Sequence, residues 1–285
     1  MAHEPTEAFR RRSWLFVPGA DEAAHAAAAR SGADVIVLEL EDFTPPELRP
    51  KARALSGKAF DLWRRAGAVA GVRVNPLETC GREDLAAIAR ADVVMMSKVA
   101  LPEQVRALAD LVSGAELVPN VESAAGLLRA HEIARAHARV SALLLASEDM
   151  VADLGTERSR GGEELAYARA RFLVECRAAG VEAIDCPYTF SDVKGAAADA
   201  RYAKRLGYRM KSLVDPSHAR AVNKVLTPDL ARARRIVVSF EKARKEGKDR
   251  ARVDGALVEV PGYAAARRLL ESAAHSSPPL RKKRR

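Results

Sequence analysis

The sequence has few aromatic residues, only three cysteines and no long apolar run. Aromatic side chains make up 5% of the 285 residues, so burial depends on Ala, Leu and Val, which suit helices packed closely on a sheet. An odd number of widely spaced cysteines excludes a disulfide framework and a zinc site. Without an apolar stretch of about 18 residues we expect no membrane span. Residues 1–16 lack the apolar core of a signal sequence, so we expect a cytoplasmic protein.

The basic excess, a net charge of +9, has no aromatic residues interleaved with it. Nucleic-acid binding by base stacking is therefore not expected. Five of the basic residues lie in the tail at 276–285, which we predict to be disordered. The remaining excess suits an anionic small molecule such as an acyl-coenzyme A. The phosphate-binding loop, the H-E-x-x-H zinc motif and the G-x-S-x-G nucleophile motif are also absent from the sequence.

Eight strand-like apolar runs alternate with helical stretches along the chain. The runs cover residues 13–19, 34–41, 69–75, 92–98, 116–121, 140–146, 182–188 and 208–215. This alternation predicts an α/β fold with a parallel sheet, and the count of eight predicts a (β/α)₈ TIM barrel with extra C-terminal helices. An open doubly wound sheet is the alternative, but its G-x-G-x-x-G turn is missing. We predict a barrel domain at 1–225, an oligomer-forming helical extension at 226–275, and the tail.

The stretch 116–155 reads as strand, helix and strand, with the helix predicted over 124–138, and each strand is followed by a carboxylate. Glu122 follows the fifth strand, and Asp149 follows the sixth. Neighbouring parallel strands lie about 4.8 Å apart, so both side chains can meet at one rim of the sheet. Carboxylate oxygens are the ligands that Mg²⁺ prefers. The sequence therefore predicts a magnesium site there.

Two basic residues at strand ends offer further chemistry. Arg73 could hold a substrate carboxylate with its planar guanidinium, or it could form a structural ion pair with Glu41 or Asp42. Lys98 could form a Schiff base, as in an aldolase that needs no metal, or a salt bridge to a neighbouring acid. We expect the histidines singled out along the chain to be surface or packing residues and two of the cysteines to be buried. These are His25, His131, His137 and His218, with Cys176 and Cys186.

Seven short motifs, in order, carry a family resemblance across residues 12–270. They are RSWLFVPGA, LELEDFTPPELRPKAR, VRVNPLET, NVESAAGL, ASEDMVADLG, AYARARFLVECRAAGVEAIDCPY and VDGALVEVP. In this order they resemble the citrate lyase beta-subunit-like branch of the HpcH/HpaI aldolase family. The resemblance implies a (β/α)₈ barrel that binds Mg²⁺ or Mn²⁺ and cleaves or forms carbon–carbon bonds. Its substrates would be short 3-hydroxy acids, the corresponding keto acids, or their coenzyme A thioesters.

The resemblance also implies roles for particular residues. Glu122 and Asp149 would bind the metal, and Arg73 would bind the carboxylate of the keto acid. Glu41 and Asp42 would orient Arg73 and a water molecule on the metal.

Further residues are implied to contact the substrate. The segment 15–19, which contains Phe16, Pro18 and Gly19, would lie near the thioester or its pantetheine arm. Ser147, in the ASED motif, is a further candidate for substrate binding.

Three positions depart from the family pattern. Glu39 stands where Asp is usual, and Leu-Val-Glu at 257–259 replaces Met-Val-Asp, whose acid reaches a neighbouring subunit's site. Leu-Val-Asp-Pro at 213–216 replaces Cys-x-His-Pro.

The resemblance implies a homotrimer or a hexamer in which Glu259 completes the neighbour's site. The segment 254–261 begins with a predicted turn at Asp254 and Gly255 and follows the last barrel strand, so we expect its apolar residues to have no place in its own core and to be covered by another subunit. A thioesterase, a malate- or citramalate-synthase-like condensing enzyme, and a non-catalytic barrel subunit remain alternatives.

Overall fold

The computed structural model describes residues 11–275, and these divide into two units. The first unit spans Arg12–Leu226, and the second begins at Thr227. The basic tail that we predicted to be disordered lies outside the described residues. No helix in residues 11–275 is long and apolar enough to cross a membrane.

The first unit is a closed barrel of eight parallel strands. Pairing of β1 with β8 closes it, with Ser13 opposite Lys211 and Leu15 opposite Leu213. This closure confirms the predicted TIM barrel and shows that the open sheet was the wrong alternative. The strands are β1 (Ser13–Pro18), β2 (Val35–Glu39), β3 (Val69–Val74), β4 (Val93–Met96), β5 (Glu116–Val121), β6 (Ala142–Leu145), β7 (Glu182–Asp185) and β8 (Met210–Leu213).

Ten helices accompany the strands of the described barrel. They are α1 (Glu22–Ser31), α2 (Arg49–Arg65), α3 (Gly81–Ala87), α4 (Pro102–Leu111), α5 (Ala124–Leu128), α6 (Ala130–Ala134), α7 (Glu148–Asp153), α8 (Ala166–Ala179), α9 (Val193–Leu206) and α10 (Ala219–Leu226). Asp21 begins α1 by accepting from the backbone N–H groups of Ala23 and Ala24, as predicted for a helix cap.

Alternation along the strands separates two apolar layers. The inward side chains form a small interior cluster that includes Trp14, Val35, Met95 and Ile184. The outward side chains pack under the helices in a much larger cluster. Because both faces are covered, β2 is buried at every residue, as expected of a parallel strand.

A buried ion network lies among the outward side chains of β7 and β8. Lys211 contacts Asp185 at 2.6 Å and Asp199 at 2.5 Å, and Arg169 contacts the same two carboxylates. Two cations and two carboxylates balance, so the charges are paired despite their burial. Cys176 and Cys186 are buried nearby, as predicted.

The second unit is a helical hairpin with a small β-ribbon. It contains α11 (Leu230–Lys245), β9 (Ala251–Val253), β10 (Ala256–Val258) and α12 (Val260–His275). The two strands pair antiparallel through the predicted turn at Asp254 and Gly255, whose φ angles are 50° and 79°. Positive φ at both positions suits a tight hairpin turn.

Three sequence expectations need correction. The single helix predicted over 124–138 breaks at Arg129 into α5 and α6. The short helix α7, immediately after β6, was not predicted. We expected the segment 254–261 to have no place in its own core, yet Val258 packs with Val253, Ile236 and Phe240. Leu257 and Val260 remain exposed, at 48% and 50%.

Candidate active site

The candidate site lies at the C-terminal ends of the barrel strands. Val37 and Val118 belong to the interior cluster. Glu39 and Glu122 lie two and four residues further on, so the alternation of a strand turns them inward too. Arg73 occupies the corresponding position on β3, opposite Glu39 in the register. Three charged groups are therefore brought into the mouth of an otherwise apolar barrel.

Arg73 is buried at the centre of these charges, with 7% of its side chain exposed. Its Nε donates to Glu39 at 2.9 Å, and its Nη atoms lie 3.4 Å from Glu41, 3.8 Å from Asp42 and 3.9 Å from Glu122. Burial alone would lower the pKa of Arg73, but the four carboxylates outweigh burial and raise it. The guanidinium is therefore permanently charged in this site.

Glu39 holds the surrounding loop as well as Arg73. Its carboxylate accepts hydrogen bonds from the backbone N–H groups of Glu41 at 2.7 Å and Phe43 at 2.6 Å. The closest ion pair of Arg73 is therefore with Glu39, which sequence reasoning treated only as a departure from the family pattern. Glu41 and Asp42, which were expected to orient Arg73, lie further from it.

Glu122 is buried, and neither carboxylate oxygen has a hydrogen-bond partner within the described residues. Burial raises its pKa to about 8, Arg73 opposes this rise, and Asp149 and Glu41 add to it. A buried carboxylate without donors is costly, particularly beside other carboxylates. Glu122 therefore lies where the negative charge of the carboxylates and the cost of burial outweigh the positive charge of Arg73.

The residues present fit a divalent cation. Five carboxylates, Glu39, Glu41, Asp42, Glu122 and Asp149, share two basic groups, Arg73 and Lys98. No cluster of three or more His, Cys, Asp or Glu side chains with metal-binding geometry occurs in residues 11–275. Mg²⁺ is commonly bound by only one or two protein carboxylates, because water molecules keep several of its other coordination positions.

Lys98 lies two residues after the end of β4 and has a left-handed backbone conformation, with φ of 55°. Its Nζ forms an ion pair with Glu41 and lies 3.5 Å from Asp42 and 4.0 Å from Asp149. Burial would lower the pKa of Lys98, but Glu41, Asp42 and Glu122 outweigh burial and raise it. A Schiff base requires a neutral amine. The contacts of Lys98 therefore favour its salt-bridge role over its role as a nucleophile.

A cavity of about 630 Å³ opens beside this cluster. Asp42, Arg73 and Asp149 line one side of it. Among the candidate substrate-binding residues, Phe16 and Ser147 line the cavity, and Phe16 also packs on the Arg73 guanidinium, 5.1 Å from ring centroid to Cζ.

The remaining candidates lie elsewhere. Pro18 and Gly19 are not among the described residues that line the cavity. A Cβ at Gly19 would come within 2.7 Å of the Glu39 carbonyl oxygen, so packing explains this glycine. Glu259 is exposed and belongs to the second unit.

Several lining residues were missed by sequence reasoning, including Arg158, Phe43, Phe190 and Val214. Phe43, Phe190 and Val214 lie after strand ends, which is the position that would have pointed to them in a TIM barrel, whereas Arg158 lies in the loop between α7 and α8. Asn120, two residues before Glu122, was also missed. Its side-chain amide is fully buried and has no hydrogen-bond partner within the described residues.

Comparison with known proteins identifies relatives over nearly the whole chain. The model of the HpcH/HpaI aldolase/citrate lyase family matches residues 12–216. A (3S)-malyl-CoA thioesterase of Cereibacter sphaeroides is 33% identical over 280 residues, which are 96% of this chain and 97% of that protein. The citrate lyase subunit beta of Leuconostoc mesenteroides is 31% identical over 281 residues, 92% of this chain and 93% of its own.

A solved structure shows the same fold. The protein CitE of Mycobacterium tuberculosis, in complex with magnesium, acetoacetate and coenzyme A, superposes with a TM-score of 0.73 at 28% identity. The match covers 93% of this chain and 98% of that one.

Proposed function

The chain belongs to the HpcH/HpaI aldolase/citrate lyase family, and from that premise we propose that it is a Mg²⁺-dependent carbon–carbon lyase. Its substrate is a short 3-hydroxy acid or the coenzyme A thioester of one, and Mn²⁺ is the alternative cation. Thioester hydrolysis and condensation are the alternative activities, and each would use the same cation and the same arginine, Arg73.

The observation that carries the proposal is the pairing of Glu122 with Asp149 beside Arg73. Neither carboxylate oxygen of Glu122 has a hydrogen-bond partner in residues 11–275, and Asp149 is near enough to raise its pKa. Such an arrangement is stabilised when a cation is bound. These two residues would hold Mg²⁺, which supplies positive charge where negative charge develops during cleavage.

The reaction breaks the bond between the hydroxyl-bearing carbon and the carbon next to the thioester carbonyl. The hydroxyl loses its proton and becomes the carbonyl of a 2-oxo acid, while the bonding electron pair and a proton pass to the other fragment and complete a methyl group. Arg73 binds the carboxylate of the 2-oxo acid, because its planar fork matches a carboxylate. Glu39 fixes the orientation of that fork.

We further propose a homo-oligomer, a trimer or a pair of trimers, in which Glu259 reaches a neighbour's site. Leu257 and Val260 flank Glu259, and about half of each side chain is exposed. Exposed apolar residues close to a functional acid are typical of a surface covered by another subunit.

A thioesterase is the competing activity, since a malyl-CoA thioesterase is among the relatives. Hydrolysis would release free thiol and no 2-oxo acid, which separates it from cleavage of the carbon–carbon bond. A non-catalytic barrel subunit would give neither product.

The metal site is tested by calorimetric titration of Mg²⁺ into the full-length protein and its variants. Glu122→Gln and Asp149→Asn should each weaken Mg²⁺ binding by at least about tenfold, since each removes one of two charged ligands. Glu132→Gln, which changes an exposed acid on α6, is the matched control and should leave the affinity unchanged. If both site variants bound Mg²⁺ as tightly as the parent, with unchanged circular dichroism, the proposed metal site would be wrong.

A further inference from the structure

The cavity beside Arg73 has two chemically different walls. Because the barrel is closed, β7, β8 and β1 form one continuous arc. Phe16 on β1, Pro187 and Phe190 after β7, and Val214 after β8 line the cavity from this arc. We call these four residues the apolar wall.

The apolar wall continues into the barrel. Leu144 and Ala146, on or next to β6, line the same cavity and belong to the interior cluster. The charged groups lie on the other arc, from β2 to the start of α7. A ligand held by Arg73 and the carboxylates must therefore extend toward apolar surface.

The cavity lining offers little positive charge to a ligand. Arg73 and Arg158 are the two basic residues among the described lining residues. Arg158 forms an ion pair with Glu164, lies 3.3 Å from Glu148, and donates to the Pro187 carbonyl oxygen at 3.4 Å.

Among the described lining residues, Arg73 is thus the basic group in position for a ligand carboxylate, and a second carboxylate would meet no cation. Two hydroxyl residues, Thr189 and Ser212, line the same arc, and the Ser212 hydroxyl already donates to the Asp185 carbonyl oxygen at 2.8 Å.

Asp215 does not change the charge of the cavity lining. Its carboxylate accepts from the backbone N–H of Ser217 at 2.8 Å and caps the turn Pro216–His218. Val214, the preceding residue, is the one that lines the cavity. The departure from the family pattern at the end of β8 therefore leaves apolar surface at the cavity.

Resting on the lyase function above, we propose that the 2-oxo acid released here carries an alkyl group, and not a second carboxylate, on its carbonyl carbon. Pyruvate and 2-oxobutanoate have this chemistry, whereas oxaloacetate does not. A carboxylate against the apolar wall would lose water without gaining a cation. A methyl or ethyl group in the same place gains the free energy of apolar burial.

The first test is a binding series with the Mg²⁺-saturated full-length protein, using glyoxylate, pyruvate, 2-oxobutanoate and freshly prepared oxaloacetate. Each added carbon should tighten binding by about fourfold, the value expected for one buried methylene. Oxaloacetate should bind at least about tenfold more weakly than 2-oxobutanoate, which is close to it in size.

The outcomes separate this inference from the proposed function. Oxaloacetate binding as tightly as 2-oxobutanoate would overturn the alkyl specificity and leave the lyase function standing. If none of the four acids showed binding that depends on Mg²⁺, the lyase function and the specificity built on it would both be wrong.

A second test changes the apolar wall itself. Val214→Lys adds an ammonium group and should shift the ratio of oxaloacetate to 2-oxobutanoate affinity by at least about tenfold toward oxaloacetate. Val174→Lys, at an exposed position on α8, is the matched control and should leave the ratio unchanged. Phe190→Ala should weaken 2-oxobutanoate more than glyoxylate. Equal effects on both acids would contradict the role of the apolar wall, whether or not Val214→Lys folds.

Discussion

Arg73 is the residue on which recognition of the substrate carboxylate depends in this account. Its guanidinium is fixed by Glu39 and packed on Phe16. Arg73→Lys keeps the charge but loses the planar fork, so the affinity for 2-oxo acids should fall by at least about tenfold while the fold persists. Isothermal titration with pyruvate and Mg²⁺ measures this loss.

The control for Arg73→Lys is Arg177→Lys, which alters a half-exposed ion pair with Glu182 on the barrel surface. Its pyruvate affinity should match that of the parent. If Arg73→Lys also bound pyruvate as the parent does, Arg73 would be a structural residue only.

Sequence could identify the charged residues of the site but not their pairing. Glu122 was found because it directly follows an apolar run, and Asp149 because it lies three residues after the next one. No role in the site was predicted for Glu39, because its hydrogen bonds to two loop N–H groups depend on the path of residues 40–43. That path is set by the folded barrel, which a single sequence does not display.

At the scale of elements, the loop between α7 and α8 forms part of the cavity wall and is held by Glu164. Burial would raise the pKa of Glu164, but hydrogen bonds from Ser159 and Arg158 outweigh burial and lower it to about 2. A carboxylate with a depressed folded-state pKa stabilises the fold above its unfolded-state pKa, and this stability is lost as the pH falls.

Glu164→Gln should therefore lower the free energy of unfolding near neutral pH, with a smaller effect in acid. Between about pH 6 and about pH 3 the difference from the parent should shrink by about 2 kcal/mol. Urea unfolding at several pH values measures it, with Glu132→Gln as the control. A difference that stayed constant with pH would show that Glu164 is not held as its contacts indicate.

The strands were predicted more accurately than the helices. All eight apolar runs became strands because burial on both faces leaves a continuous apolar signal. The helix predicted over 124–138 failed because its Ala- and Leu-rich composition continues across Arg129, where the backbone leaves helical geometry. The six residues of α7 are too few for a periodic signal, so nothing in their pattern predicted a helix.

At the scale of the whole molecule, the proposed oligomer predicts which mixtures of inactive variants regain activity. Inactive Glu122→Ala chains mixed with inactive Glu259→Ala chains should regain part of the activity, because some sites receive both residues. Mixing Glu122→Ala with Asp149→Ala should restore none, since both residues come from one barrel. The activity of mixtures that exchange subunits, checked by light scattering, decides the matter.

Recovery in the second mixture, or a monomer at about micromolar concentration, would contradict completion of the site by a neighbour. The sequence alone indicated the exposed apolar residues of 254–261 but not the burial of Val258. The buried cluster that contains Val258 includes four residues of α11 and α12, namely Ala233, Ile236, Phe240 and Ala266, and that packing depends on how the hairpin folds back.

The most direct test of the central claim is to follow both products from malyl- and citramalyl-coenzyme A with Mg²⁺ present. A lyase forms a 2-oxo acid and leaves the thioester intact, so 2-oxo acid should accumulate without free thiol. EDTA and Glu122→Gln should each abolish the reaction. Free thiol released without 2-oxo acid would contradict the account and identify a thioesterase.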